Sequence, residues 1–291
     1  MMEYIKRKFR IVLSILRMVL FDASNKGEVT FRIMTSIGWQ IYKRLFKFPI
    51  VLPLDNGLIY IADPRAVNST GVIYTKIYES DYILFIRNNC NNGGVMVDVG
   101  AHTGLYTLLL NDCINKAVLF EPDPNTCKLL KRNIAINLME DVTIYQAAAS
   151  DHSGSGSLRI EGNYSGLNHI TDNSDNQFDE VISIDLVTVD EALSALQINT
   201  VDLIKIDTEG HELNVLQGCK EVLNNSPGAL VLYENSNFEE IYKFFDGMGF
   251  KIFGLDANGG IIADKILLKS CYNLFSCGPK NKLYKKIISL N

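Results

Sequence analysis

The stretch Lys205–Glu212, "KIDTEGHE", places Asp207, Glu209, His211 and Glu212 within six positions of one another. The residues before it, "VDLI", are mostly apolar, so the run reads as a buried strand that ends in a strand-to-helix corner. Carboxylates and an imidazole at such a corner can align a weak nucleophile and remove its proton. Asp207 and Glu209 are the expected pair, one to position a hydroxyl and one to take its proton, with His211 as a further base. Glu212 falls in the first turn of the next helix, where an acid complements the helix dipole, and is read as structural. The following strand, "ALVLYE", ends in Glu234-Asn235. Neighbouring strand ends would bring Asp207, Glu234 and Asn235 together as hard oxygen ligands, the set that could hold Mg²⁺ and acidify a bound hydroxyl.

A second group lies in "VMVDVGAHTG", Val95–Gly104. A strand runs through Asp98 into Gly100 and Gly104, which match the first and last glycines of a dinucleotide loop. His102 stands where the middle glycine would let backbone approach a pyrophosphate. The helix N-terminus at Thr103 offers free N–H groups. Glu121 follows Asp98 by 23 positions, the spacing at which an acid accepts hydrogen bonds from ribose hydroxyls. S-adenosylmethionine has the ribose and adenine without phosphate, and its ammonium and sulfonium favour a nearby acid such as Asp98. The loop therefore points to S-adenosylmethionine and away from NAD or FAD.

The elements that must position these groups alternate as in a doubly wound sheet. Strand one is Val95–Asp98, followed by the helix "TGLYTLLLN". Strand two, "AVLFEP", ends at Glu121, and Asp123-Pro124 open a helix as N-cap and first helical residue. Strand three is "VTIYQAAA", strand four "VDLIKID" and strand five "ALVLYE". "FKIFGLD" and "ILLKSCYNLFSC" make an antiparallel pair at the edge. Between strands three and four, "DHSGSGSLRIEGNYSG" and "EVISIDLV" add a hairpin or loop, and "YSGLNH", Tyr164–His169, could be a substrate lid. Thr188–Glu191 is a capping box. Before Gly93, helices near 4–21 and 29–46 precede a strand pair around the turn Asp55-Asn56-Gly57.

The stretches "VDVGAHTGLYTLLL", "FEPDPNTCKLLKRNIAIN", "AAASD" and above all "VDLIKIDTEGHELNVLQG" resemble the FkbM family of S-adenosylmethionine-dependent methyltransferases. The resemblance covers roughly Tyr78 to Gly278. It implies an α/β fold, the seven-stranded doubly wound Rossmann-like (class I) methyltransferase sheet, here with an N-terminal helical and hairpin extension. It also implies O-methylation of hydroxyls on sugars or polyketide-type products. The family usually carries Asn where this chain has His102. The expected cofactor-binding set is Glu79, Asp98, Gly100, Ala101, His102, Thr103, Gly104, Glu121, Pro122, Gln146, Ala147 and Ala148. The expected division is an extension over 1–92, a methyltransferase domain over 93–279 and a basic tail over 280–291. The acceptor is expected to be a small-molecule or glycan hydroxyl. A catalytically dead S-adenosylmethionine-binding module is the alternative from another class.

Apolar residues make up 47% of the 291-residue chain, enough for a full core. The six cysteines form no C-x-x-C pair, which suits reduced thiols in a cytosolic protein. The formal charge of −5 is uneven. Residues 1–50 carry 10 Lys/Arg against Glu3, Asp22 and Glu28, and the tail carries Lys280, Lys282, Lys285 and Lys286. The acidic body left between them argues against nucleic acid. The basic first helix, "YIKRKFRIVLSILRMVLF", is read first as an ordinary helix docked on the body. A peripheral contact with an anionic membrane is the alternative, and a signal peptide is disfavoured by Arg17 inside the apolar run. The expected location is the cytoplasm, with the inner face of the membrane as the alternative.

Overall fold

A computed structural model of the chain describes residues 13, 15–90, 93–160, 168–170, 180–256 and 259–290. The strands in chain order are β1 (Ile50–Pro53), β2 (Ile59–Ala62), β3 (Gly94–Val99), β4 (Ile114–Phe120), β5 (Val142–Tyr145), β6 (Ala148–Ala149), β7 (Gly154–Ile160), β8 (His169–Ile170), β9 (Glu180–Val187), β10 (Leu203–Ile206), β11 (Leu230–Glu234), β12 (Lys251–Leu255), β13 (Ile261–Ile262) and β14 (Asn273–Cys277). Eight of them form one sheet in the order β13-β12-β14-β11-β10-β3-β4-β5. β3, β4, β5, β10 and β11 run parallel, and β14 enters antiparallel between β11 and β12. Without the two-residue edge strand β13, this is the expected seven-stranded, doubly wound class I sheet.

The order follows from the residues. β3, β10 and β11 are apolar on both faces because helices cover both faces. One face packs on the β1–β2 hairpin and on the helices Ser80–Asn89, Leu105–Leu109, Pro124–Ile136 and Tyr284–Ile288, through Tyr60, Ile83, Ile86, Leu108, Leu130 and Ile287. The other packs on the helices Val189–Ala195, Glu212–Gln217, Lys220–Asn225 and Phe238–Gly247, through Leu193, Val215, Leu216, Val222, Ile241 and Phe245. The chain leaves β3 toward β4 and β5 and returns on the other side at β10. The strand order therefore reverses between β3 and β10, and a crevice opens beyond their carboxyl ends.

Several elements depart from the sequence expectation. The helix after β3 begins at Leu105, not Thr103, because Gly104 holds a left-handed φ of 80° as its N-cap. "VTIYQAAA" is not one strand. β5 stops at Tyr145, and Ala148–Ala149 pair with β9 in a separate four-stranded sheet, β6-β9-β7-β8. This sheet is the extra hairpin between strands three and four. "ILLKSCYNLFSC" holds a short helix, Lys265–Leu268, capped by Asp264, and becomes strand only from Asn273. Residues 161–167 of the Ser/Gly segment lie outside the described residues, as does most of the lid expectation at Tyr164–His169; Asn168 and His169 are described.

The expected divisions at 92/93 and 279/280 do not interrupt the core. Leu54, Tyr60, Ala62, Val72, Ile77, Ile83 and Ile86 share one buried cluster with Met96, Leu108 and Leu119, as do Leu283 and Ile287 of the tail. A smaller cluster around Val19, Trp39, Ile73 and Tyr74 joins the first helical segment to the helices Val29–Leu45 and Val67–Tyr74.

Candidate active site

A cavity of about 460 Å³ lies at the crevice. Its floor is Val99 and Gly100 after β3, Phe120, Glu121 and Pro122 after β4, and Asp207, Thr208 and Glu209 after β10. Ala148, Ala149, Leu158, Asn168 and Ile170 bring in the small sheet, and Val67, Asn68, Tyr78 and Glu79 bring in the N-terminal part. Tyr272 and Asn273 complete the wall from the antiparallel edge. The volume falls within the range of cofactor pockets.

Gly100 is required by the packing of the two corners. Its φ is 69°, and a Cβ there would sit 1.9 Å from the Asp207 carbonyl oxygen. The β3 and β10 corners touch at this point, which places the glycine loop against "KIDTEG". His102, with φ 51°, turns its backbone N–H to Glu121 Oε2 at 2.9 Å. The Asp123 N–H reaches Glu121 Oε1, also at 2.9 Å. Glu121 is thus fixed by two amides at the edge of the cavity. Burial still pushes its carboxyl up to about 8. The same burial, with Lys205 nearby, pushes the His102 imidazole down to about 4, so it is neutral near pH 7.

Asp98 is placed differently from the expectation. It is fully buried and does not line the cavity. Its Oδ2 accepts from the Thr107 hydroxyl at 2.9 Å, and its Oδ1 lies 3.6 Å from Lys205 Nζ. Thr103 also turns inward, its hydroxyl 2.8 Å from the Tyr60 hydroxyl. Ala101, Thr103, Gly104, Gln146 and Ala147 do not line the cavity, and Gln146 is exposed. Glu79 does line it, in a left-handed backbone conformation, and accepts from the Tyr106 hydroxyl. Burial raises the Glu79 carboxyl above the usual range, with Asp207 adding to the effect.

Lys205 was passed over in the sequence as a lone charge in an apolar strand. Only 5% of it is exposed. Its ammonium donates to the Gly100 carbonyl at 2.8 Å, lies 3.2 Å from Asp207 Oδ2 and stands 5.3 Å from the Tyr106 ring centroid. Burial alone would lower its pKa, but Asp207 and Asp98 hold it well above the ordinary lysine value. One buried cation thus ties the β3 loop, Asp98 and Asp207 together.

Of the expected catalytic residues, Asp207 and Glu209 line the cavity and His211 does not. His211 Nε2 lies 3.0 Å from the Ser150 hydroxyl, on the side of the small sheet. Glu212 is fully buried and accepts from Thr208 N–H and hydroxyl and from Gly210 N–H, at 3.0, 3.0 and 3.2 Å. It also accepts from Ser236. That is the structural role expected of it, and it staples the corner carrying Glu209. The oxygen cluster holds Asp207 and Glu234 of the expected oxygen set and adds Glu209. Asp207, Glu209 and Glu234 bring carboxylate oxygens within 4.8 Å of one another. Asn235 Nδ2 donates to the carbonyls of Leu268 and Cys271, at 3.3 and 3.0 Å, which orients the side chain and does not use its Oδ1.

The family model described as the methyltransferase FkbM domain matches residues 98–252. The chain is 25% identical over 169 residues to the 2-O-methyltransferase NoeI of Sinorhizobium fredii, covering 51% of this chain and 65% of that protein. It is 26% identical over 151 residues to the hexuronic acid methyltransferase AglP of Haloferax volcanii, covering 50% of this chain and 59% of that protein. The match thus spans less than two thirds of either relative. A solved structure, the methyltransferase FkbM from Methylobacillus flagellatus, is similar at 13% identity with a TM-score of 0.42, covering 87% of this chain and 60% of that one.

Proposed function

Because the chain belongs to the FkbM methyltransferase family, we propose that it is an S-adenosylmethionine-dependent O-methyltransferase acting on a hydroxyl of a sugar, polysaccharide or lipid-linked glycan. The observation that carries this reading is a single cavity with Glu121 on one strand end and the pair Asp207 and Glu209 on another. A sugar acceptor is favoured because one relative is described as a hexuronic acid methyltransferase. A polyketide-type hydroxyl is the runner-up.

The cavity fits the cofactor. Glu121 keeps acceptor capacity beyond its two amide contacts for ribose hydroxyls. Val99, Phe120, Ala149 and Leu158 offer apolar surface, and the neutral His102 presents no charge repelling a sulfonium. Glu79 supplies an acid on the opposite wall, suited to an ammonium. When bound, S-adenosylmethionine supplies a methyl group whose bond to sulfur breaks as the bond to the acceptor oxygen forms, sulfur keeping the electron pair. Asp207, held by Lys205, then orients the acceptor O–H, and Glu209 takes its proton.

A second route to the same proton loss uses Asp207, Glu209 and Glu234 as ligands of Mg²⁺, which would lower the hydroxyl pKa. Activity that persists in EDTA leaves the base alone; activity lost in EDTA and restored by Mg²⁺ favours the metal. The direct test of the whole reading is calorimetry with S-adenosylhomocysteine and NAD, followed by mass spectrometry of glycans incubated with the protein and S-adenosylmethionine. Binding of NAD and not S-adenosylhomocysteine would overturn it.

A further inference from the structure

The helix Val29–Leu45 is apolar on two faces. Trp39 and Ser36 face the body, where the Trp39 indole N–H donates to the Thr70 hydroxyl at 3.0 Å. On the other side Phe31, Met34, Ile37, Ile41 and Leu45 are exposed, Met34 by 68% and Leu45 by 69%. Their spacing puts them in a stripe roughly 120° wide. Phe46, Phe48 and Val51 continue the exposed apolar run in sequence past the helix end. Scattered apolar side chains are ordinary on a surface, but a continuous stripe of this size marks a contact.

The charge around the stripe says with what. Arg32, paired with Glu28, and Lys43, which donates to the Thr70 hydroxyl, lie on the Trp39 side, whereas Arg44 and Lys47 lie at the end of the stripe, and residues 29–54 contain no acid. Arg44 and Lys47 are exposed there. An apolar stripe edged by cations matches an anionic lipid surface. No helix among the described residues is long and apolar enough to cross a membrane, so the contact is in the plane of the surface.

We propose that the outer face of Val29–Leu45 docks the protein on anionic phospholipid bilayers. This contact is on the second helix; in the first helix, the alternative contact in the sequence, every basic residue but Arg17 lies outside the described residues. The helix leans on Val67–Tyr74, whose first residues, Val67 and Asn68, line the cavity. One element therefore links the lipid contact to the site. The proposal rests on this surface alone and stands or falls apart from the methyl-transfer reading.

The test is sedimentation of the full chain with phosphatidylcholine vesicles, with and without phosphatidylglycerol, at low and high salt. Binding should require phosphatidylglycerol and fade with salt. M34E/I41E should weaken it about tenfold or more, because two buried apolar side chains are lost from the contact, and R44E/K47E should remove the preference for phosphatidylglycerol. Both changes are at exposed positions, and unchanged melting temperatures would confirm that the fold is kept. No vesicle binding by the wild type would overturn the proposal, as would binding by both variants equal to that of the wild type. A wild-type dimer that M34E/I41E makes monomeric, with no vesicle binding, would assign the face to a second copy instead.

Discussion

At the scale of single residues, the site divides into groups that touch the cavity and groups that hold them. Glu121 belongs to the first kind. With its carboxyl pushed up to about 8, it is largely protonated at pH 7. Ribose hydroxyls donate best to the ionised form, so binding should release a proton. Affinity for S-adenosylhomocysteine should therefore rise from pH 6 to pH 8 and then level. The raised value also means that Glu121 contributes stability fully below its unfolded value of 4.5 and loses it as pH rises through 8. Calorimetry in buffers of different ionisation enthalpy measures the proton. Glu121→Gln should abolish the pH slope, and Glu121→Ala should weaken binding by about 1–3 kcal/mol. Glu209→Gln should bind the same ligand normally and lose roughly 10²–10⁴ in turnover; wild-type turnover in that variant would remove Glu209 as the base. Lys205 belongs to the second kind. Lys205→Met leaves the buried Asp98 without its cation, which typically costs about 3–5 kcal/mol, read as a lowered denaturation midpoint. The sequence made Asp207, Glu209 and Glu121 legible because strand ends place them. It hid Lys205, because a lone lysine in an apolar strand has no spacing signature. Asp98 turns to Lys205 and Thr107 and His211 to Ser150, contacts made across the fold that local sequence pattern does not record.

At the scale of elements, what matters is how the corners are locked. The helix Pro124–Ile136 carries Asn133, and its C-cap is Asn137, four residues on. Asn133 Oδ1 accepts from the Ile61 N–H at 2.8 Å, and its amide donates to the Thr103 carbonyl at 2.8 Å. Asn137 accepts from Ile59 N–H and donates to Ile59 carbonyl, both at 2.7 Å. The free edge of β2 is thereby paired by side chains instead of a third strand, and the same helix steadies the glycine loop. Asn133→Ala would leave two backbone groups in the interior unpaired, at about 1–3 kcal/mol each. The expected result is a lowered denaturation midpoint together with weaker S-adenosylhomocysteine binding; a lowered midpoint with unchanged binding would show that Asn133 supports only the hairpin. Apolar periodicity, the caps at Asp123 and Thr188 and the Asp55-Asn56-Gly57 turn made most elements readable in advance. The break of "VTIYQAAA" after Tyr145 was not readable, because both halves are strand and only their partners differ.

At the scale of the molecule, the N-terminal part is a wall of the site as well as a covering of the sheet. Asn25 is fully buried. Its amide donates to the carbonyls of Val19 and Tyr74, each at 3.0 Å, and its Oδ1 accepts from Lys76 N–H at 2.8 Å. The Ser24 hydroxyl accepts from Ile77 N–H at 3.1 Å, and Ser80 donates to Asp22 at 3.2 Å. These contacts bracket Tyr78 and Glu79, which line the cavity. The sequence sets the boundary at residue 92 because the strand–helix alternation begins at Gly93. Long-range contacts of this kind leave no mark on local composition. Removal of residues 1–12 should leave S-adenosylhomocysteine affinity unchanged, since the bracketing groups begin at Asp22. Removal of residues 1–26 deletes Asp22, Ser24 and Asn25 and frees the segment that carries Glu79. That shorter chain should remain folded by circular dichroism, because the two main core clusters draw on residues from Ile50 onward, yet bind the ligand about tenfold or more weakly, the scale of one or two lost hydrogen bonds to a charged group. Equal affinity in the two truncations would show that the sheet alone fixes Glu79.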